Sequence, residues 1–572
     1  MKEKLESIVA EALKALGIET ATVTIERPAD MAHGDYSTNA ALVYGKKAGI
    51  PPREFAEKLL EKIRDASPYD IAKIEIAGAG FVNFFMTADA IREENKKEKC
   101  SLVTRYSKKN ILVEHSSPNI FKPFHIGHLM NNIVGEFVTR ATIIGGGNVT
   151  TISFPSDVSL GIAKAVFVLL EDKKEGRDVF ALSDEEKITA FGEAYRRGVE
   201  YFDTRPDENE KAKEIARIIY DKDHSSETRA FFERAKEINT AYLIKIIKEL
   251  GSVIDEIIYE SEAGEIGQEI VEKNTGEGKV FAKSEGAVVY VPDPARKDLH
   301  TQVFINSEGH PTYEAKDLGL IDLKFSKFAP DISYFVTDTE QASHFRVVLD
   351  AAGKLGGVWP SRVEKSIHIP HGRMLFKGQK MSSRLGGVPI ALDVVAVVEE
   401  EVRERAGEKI AHLGALEKMK LEREIALSSL RVAVLRSKPG ININFDPETS
   451  LSFEGDSGPY LLYTHARTAS LLEKGKEKGY EPTFASVPVT LLERELAQYE
   501  FVLGQAVTDL HPQKLVTYLF EVAQLFNGFY GSTQIITEDK ETSEHYLAIV
   551  KRLKAVLKEG LWVLGISAPE KM

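Results

Sequence analysis

The sequence predicts a multidomain α/β protein: a parallel-sheet domain with a long helical insertion, set between a small α+β domain and an all-helical C-terminal region. Three observations predict it. The short apolar runs "NILVEH", "NVTTISF", "ISYFVTD" and "KSIHIP" are spaced by helical stretches, as buried strands of a parallel sheet are. From about residue 390 the apolar residues recur at three and four instead, clearest in "HPQKLVTYLFEVAQLFNGFY", where Leu515, Tyr518, Leu519, Val522, Leu525, Phe526 and Phe529 form one broad face. A chain of 572 residues, 43% of them hydrophobic, is also long enough for several cores and is expected to hold two to four domains.

Taken in order, residues 1–90 open with a helix whose Leu5, Ile8, Val9, Ala12, Leu13 and Leu16 share a face, followed by strand-like "TATVTIERP", "IAKIEIAGAG" and "FVNFFM". Residues 91–107 read as a basic linker, and 108–390 as the parallel-sheet domain. Within it, about 165–275 is polar and helical, dense in Glu, Lys and Arg, and is expected to be an insertion. Residues 391–572 form the helical C-terminal domain, where Pro512 suits a first helical position.

Composition narrows the function. The first helix carries charges throughout, unlike a signal peptide, and no later run is apolar enough to span a bilayer. A lone cysteine, Cys100, allows neither an internal disulfide nor a multi-thiolate zinc site, so a cytoplasmic location is expected. The net charge of -13 argues against nucleic-acid binding by bulk electrostatics. Two local basic runs, residues 91–109 and "YLAIVKRLKAVLKEG", are read as solvated helix faces.

The chemistry concentrates in "NILVEHSSPNIFKPFHIGHLM", where a buried strand leads through a proline-containing loop into a helix. In open α/β sheets ligands bind at that carboxyl edge. His125 and His128 share a face at the helix start, where free N–H groups and the positive dipole end favour phosphate. Gly127 between them lets a flat ring approach the backbone. About 250 residues later, "GRMLFKGQKMSSRLGG" sets Lys377, Lys380, Ser382, Ser383 and Arg384 between glycines, a set of cations and hydroxyls suited to a pyrophosphate leaving group.

Together, "HIGH" ahead of "KMSSR" resembles the paired signatures of class I aminoacyl-tRNA synthetases, and the flanks resemble the arginyl-tRNA synthetase family. "VEHSSPNIFKPFHIGH", "SDVSLGIAKA", "HPTYEAKDLGL", "TEQASHF", "SGPYLLYTHAR", "LFNGFYGSTQI" and "LGISAPEKM" carry that likeness, as do "HGDYSTNAA" and "GFVNFF" near the start. The resemblance spans nearly the whole chain. It implies a Rossmann-type catalytic domain, an N-terminal tRNA-binding domain and a C-terminal anticodon-binding bundle. The implied activity is an arginine–tRNA ligase, which forms arginyl-adenylate from L-arginine and ATP and transfers arginine to the 3′ end of tRNA(Arg). A monomer is expected. Magnesium is expected with ATP rather than from any ligand cluster.

The resemblance also assigns residues. Lys122, His125, His128, Lys380 and Ser382 would be catalytic, and His125, Gly127, His128, Met381, Ser382 and Arg384 would bind ATP. Glu114, Ser117, Asn119, His125, Tyr313, Asp317 and Gln341 would bind arginine; a planar guanidinium calls for a carboxylate, and Asp317 lies one helical turn after Tyr313. For tRNA the matching positions are Asn39, Phe81, Asn83, Tyr463, Arg467 and Met572.

Some positions depart from the family. The loop's usual second lysine is Ser383, and Lys122 before the histidines is expected to supply the missing charge. His115 stands where an aromatic is usual. Ser156 and Ser159 stand where glycines are common and Gly161 where a histidine is, while Asp157 keeps the acidic match. Glutamyl and class I lysyl enzymes, a small nucleotidyltransferase sharing H-x-G-H and a non-catalytic RNA-binding paralogue are the competing readings. The Tyr313–Asp317 pair and the "APEKM" ending favour arginine, the long helical C-terminus disfavours the nucleotidyltransferase, and both signatures together disfavour the paralogue.

Overall fold

The computed structural model describes residues 1–19, 22–28, 30–65, 70–100, 102, 104–220, 226–376, 389–406, 413–452 and 454–572. Its N-terminal part packs α1 (Lys2–Ala15), α2 (Ala40–Ala48) and α3 (Pro52–Asp65) on a four-stranded sheet. The strands β1 (Ile25–Glu26), β2 (Tyr36–Thr38), β3 (Ile71–Ala77) and β4 (Phe81–Met86) run in the order β1-β2-β4-β3 with antiparallel pairing throughout. Helix α4 (Ala88–Asn95) then leads away from the sheet, capped by the Thr87 hydroxyl.

The parallel sheet begins at β5 (Asn110–Glu114), whose Ile111, Leu112 and Val113 are buried on both faces, as a central parallel strand requires. Helix α5 (Ile126–Ile144) follows, then β6 (Asn148–Ser153), the helices α6 (Leu160–Lys174), α7 (Asp184–Asp203), α8 (Asn209–Tyr220) and α9 (Glu227–Glu249), and the short β7 (Glu256–Ile257). Helix α10 (Glu260–Lys273), an antiparallel ribbon of β8 (Phe281–Ser284), β9 (Ala287–Tyr290) and β10 (Gln302–Ile305), and α11 (Tyr313–Phe328) lead to β11 (Ile332–Asp338). The sequence continues through α12 (Ala342–Lys354), α13 (Trp359–Lys365) and β12 (Ser366–His371). The sheet order is β12-β11-β5-β6-β7 and all neighbours are parallel. Because the order reverses around β5, the loop after it opens at a topological switch point.

The polar stretch at 165–275 is helical, but its last helix belongs to the sheet domain's packing. A Cβ on Gly267 of α10 would lie 1.8 Å from the Ala315 carbonyl oxygen, and one on Gly319 of α11 would lie 1.9 Å from that of Ala263. Only glycine permits this approach, which seats the start of α10 against α11.

The C-terminal region is helical, with long helices at Ala415–Leu435, Gly458–Glu477, Pro512–Ser532 and Lys540–Val563. Its apolar residues are continuous with a core that also includes α5 and the N-terminal helices. The N-terminal sheet is pinned to it by polar contacts: Arg27 to Glu495 at 2.7 Å and Glu521 at 2.9 Å, and Arg494 to Asp35 at 2.9 Å. Among the described residues no helix is long and apolar enough to cross a membrane.

Candidate functional site

After β5 the chain makes a strained turn. Ser116 has φ +59°, a left-handed conformation unusual for a residue with a side chain, and the surroundings hold it there. Its N–H donates to Asn131 Oδ1 at 2.6 Å, its carbonyl accepts from Ser153 Oγ at 2.8 Å, and its Oγ accepts from Asn132 Nδ2 at 3.1 Å. Asn131 in turn donates to the Val336 carbonyl of β11, so α5, β6 and β11 all fix this turn. His115, in the family's aromatic position, is fully buried under α5: a Cβ on Gly135 would lie 2.3 Å from its Cγ, so glycine makes room for the ring. Burial pushes its pKa down to about 4, with Glu136 opposing, which leaves it neutral. Ser117 Oγ accepts from the Phe154 N–H at 2.9 Å and Asn119 Oδ1 from the Phe121 N–H at 3.1 Å. Both side chains therefore shape the loop.

The two histidines cap α5 themselves. Nδ1 of His125 accepts from the Gly127 N–H at 3.0 Å, and Nδ1 of His128 accepts from the His125 N–H at 3.2 Å. With both Nδ1 atoms acting as acceptors, the neutral tautomers carry their protons on Nε2. The rings stack, centroids 3.7 Å apart and 21° between planes, so that both Nε2–H donors belong to one small patch at a helix N-terminus. Burial, then Lys122, lowers the His125 pKa; burial, then His125, His371 and Lys122, holds His128 well below the ordinary imidazole range. A Cβ on Gly127 would lie 2.9 Å from His125 Cε1, so the glycine lets the His125 ring fold back over the helix start. Lys122 is exposed, its Nζ 4.8 Å from the centre of the Tyr195 ring on α7. Lys122, His125 and Tyr195 line one open groove of about 1370 Å³ between α7, α9 and the chain after Pro389.

The amino-acid end is built from charge pairs. Glu114, buried at the end of β5, is ion-paired with Lys324, equally buried on α11. Burial raises the Glu114 pKa, with Lys324 opposing it and Asp317 adding to it. Glu260, the first residue of α10, accepts from Lys316 Nζ at 2.9 Å and from Ser156 Oγ at 2.9 Å. Burial, opposed by Lys316 and Ser156 and reinforced by Asp317, raises its pKa too. Asp317 is bonded to His344 Nε2, and Glu314 lies 3.4 Å from His344 Nδ1. Glu114 and Asp317 share a small cavity with Lys324, Phe335 and Phe345. Tyr313, 59% exposed, begins α11, with Lys316 Nζ 5.2 Å from its ring centroid. Gln341 closes the short turn Thr339–Gln341 ahead of α12.

Four partners here were not picked out from the sequence: Glu260, Lys316, Lys324 and His344. The unusual positions also find physical reasons. A side chain at Gly161 would put a Cβ 2.2 Å from the Tyr195 hydroxyl, so Tyr195 fills the space beside the position where a histidine is usual. Ser156 is the donor to Glu260, and Ser159 caps α6, accepting from the Ile162 N–H at 3.2 Å. Asp157 is fully buried and saturated by Lys236 at 2.5 Å and by the Ser261 N–H and Oγ at 3.0 and 2.7 Å. It ties α9 and α10 to the loop after β6.

Lys377, Lys380, Met381, Ser382, Ser383 and Arg384 lie outside the described residues. Of the positions assigned to tRNA, Phe81 is 41% exposed at the start of β4, Asn39 is half-buried at the N-cap of α2, and Asn83 is enclosed within the sheet, which removes it from the surface set. Arg467 is sandwiched between the Tyr463 and Tyr530 rings, 4.7 and 4.6 Å from their centroids, and donates to Asn527 Oδ1 at 2.6 Å. Met572 packs partly against the core. The two basic runs meet in one groove beside Phe484, but Lys97 pairs with Glu94 and Glu500 at 2.7 Å, Lys551 with Glu98 at 3.4 Å and Lys554 with Glu570. Those lysines are largely neutralised within the chain.

A parallel sheet whose switch-point strand feeds a helix capped by the two histidines of H-x-G-H defines a class I aminoacyl-tRNA synthetase catalytic domain. Residues 91–446 match the family described as "tRNA synthetases class I (R), catalytic domain", residues 3–86 the "Arginyl tRNA synthetase N terminal domain", and residues 461–572 the "DALR anticodon binding domain". The chain belongs to the arginyl-tRNA synthetase family. Among its relatives are the arginine–tRNA ligases of Shewanella amazonensis, 27% identical with 100% of both chains covered, and Alteromonas mediterranea, 28% identical with 98% of both covered. Its fold is that of the Thermus thermophilus arginyl-tRNA synthetase (TM-score 0.81, 24% identity, 100% of both chains) and the Plasmodium falciparum enzyme (TM-score 0.78, 17% identity, 100% of this chain and 99% of that one).

Proposed function

We infer that this chain is an arginine–tRNA ligase: it activates L-arginine with ATP and transfers the arginyl group to the 3′ end of tRNA(Arg). The observation that carries the reading is the pairing of a neutral, hydrogen-bond-donating histidine patch at a helix N-terminus with a carboxylate-rich pocket on the neighbouring strand and helix ends. In the first step an arginine carboxylate oxygen bonds to the α-phosphorus of ATP while the bond from that phosphorus to the bridging β-phosphate oxygen breaks, releasing pyrophosphate. Such chemistry depends on positioning and charge stabilisation. The Nε2–H groups of His125 and His128 donate to the phosphoryl oxygens as charge shifts onto them, and Lys122 supplies a point charge beside them. Asp317 takes the guanidinium, with Glu114, Ser117, Asn119, Tyr313 and Gln341 completing the amino-acid site. In the second step a ribose hydroxyl of the terminal adenosine attacks the adenylate carbonyl and AMP leaves.

Lys380, Met381, Ser382 and Arg384 are assigned to the phosphates by sequence alone. On the same reading residues 1–90 bind tRNA, with Asn39 and Phe81 as contacts. The bundle 391–572 binds the anticodon, and the Arg467 sandwich and Met572 meet unstacked bases. Magnesium is taken to enter with ATP as the counter-ion of its phosphates. The enzyme is taken to be a cytoplasmic monomer. ATP–pyrophosphate exchange with each amino acid, with and without tRNA, tests the assignment. Exchange with arginine in the presence of tRNA is expected; exchange with glutamate or lysine but not arginine overturns it.

A further inference from the structure

Helix α11 presents Glu314 and Asp317 three residues apart, on one face. Two carboxylates so placed repel each other and would drift apart or take up a proton. Between them stands His344, from the first turn of α12, with Nε2 on Asp317 Oδ2 and Nδ1 3.4 Å from Glu314 Oε1. Both ring nitrogens face acceptors, which only the doubly protonated imidazolium satisfies. We propose that His344 is a positioning residue for arginine selection, clamping Asp317 against Glu314 so that one carboxylate oxygen and one net negative charge remain for the guanidinium. The proposal rests on the reading that Asp317 receives that group.

The charge balance supports it. Among the described residues Glu114 is matched by Lys324, Glu260 by Lys316, and Glu314 with Asp317 by His344. Four carboxylates thus face three cations, and a single monocationic side chain closes the balance. Oδ2 of Asp317 is committed to His344, leaving Oδ1 as the oxygen it does not use. The imidazolium persists across the working range: burial disfavours it, but the Asp317 and Glu314 carboxylates that accept from its ring nitrogens outweigh burial and push the His344 pKa up to about 10. The adjoining Phe345 ring stands edge-on at 5.0 Å and limits the imidazole's rotation.

The test is steady-state exchange by the full chain with tRNA present, using His344→Ala, His344→Gln and Asp317→Asn. His344→Ala is expected to raise KM for arginine about tenfold or more, with KM for ATP and the saturating rate within about twofold of wild type. His344→Gln, which still offers an N–H to Asp317 but carries no charge, is expected to restore only part of the loss, with arginine KM between those of wild type and His344→Ala. Should the alanine variant not fold, His344→Leu keeps the bulk, loses both donors and carries the same expectation. An unchanged arginine KM in the variant lacking the donors, or an equal rise in the KM of ATP, overturns the proposal. If Asp317→Asn leaves arginine KM unchanged, the parent reading of Asp317 falls and this one with it. If only Asp317→Asn matters, this proposal alone falls.

Discussion

The two ends of the site solve opposite problems. At the phosphate end His125 and His128 are neutral and stacked on each other, and among the described residues their side-chain hydrogen bonds cap their own helix. At the amino-acid end Glu114, Glu260, Glu314 and Asp317 are already paired with Lys324, Lys316 and His344. A group that stabilises charge developing during a reaction gains by being uncommitted beforehand, whereas a group that selects a permanent cation gains by being held in place. The contrast predicts where mutations act: on rate at the first end, on affinity and stability at the second.

The largest effect is expected from His128→Ala, which should lower the pyrophosphate-exchange rate by about 10²–10³, as loss of a transition-state donor does elsewhere, with arginine KM nearly unchanged. At the other end Lys324→Met leaves Glu114 buried without its cation and should cost about 3–5 kcal/mol of stability in urea unfolding. Adding Glu114→Gln should recover most of that, because the uncompensated charge is then gone. Lys122→Ala, which removes an exposed charge from the phosphate groove, should slow adenylate formation on the order of tenfold without weakening arginine binding; an unchanged rate would remove Lys122 from the catalytic set.

The smallest effect is a pH dependence. The His344 pKa is raised in the folded protein from an ordinary 6.5 to about 10, through the Asp317 and Glu314 carboxylates that face it. Its contribution to stability is therefore whole below pH 6.5 and lost as pH rises through 10. The melting temperature should fall between pH 7 and pH 10, and fall less in His344→Gln; equal slopes in the two proteins would refute this.

How much of this was legible in the sequence follows from how local each feature is. The histidine helix start, the parallel strands and the helical C-terminus are written in contiguous runs, with periodicity or motif spacing that a single stretch displays. The pairs Glu114–Lys324, Glu260–Lys316 and Asp317–His344 join residues 210, 56 and 27 positions apart, and nothing local marks a lysine that will be buried. Helix α10 was read as the end of a polar insertion because its charges dominate, while the glycines that dock it on α11 give no periodic signal. Gly161 stood out only as a departure, and its reason, the Tyr195 hydroxyl, is supplied by a different helix.

The most direct test of the division between the two ends is to measure His128→Ala and Asp317→Asn side by side in arginine-dependent exchange with tRNA present. The account predicts that His128→Ala lowers kcat while leaving arginine KM in place, and that Asp317→Asn raises arginine KM while kcat recovers at saturation. If both substitutions moved the same parameter, the separation of a neutral reacting end from a charged selecting end would be contradicted.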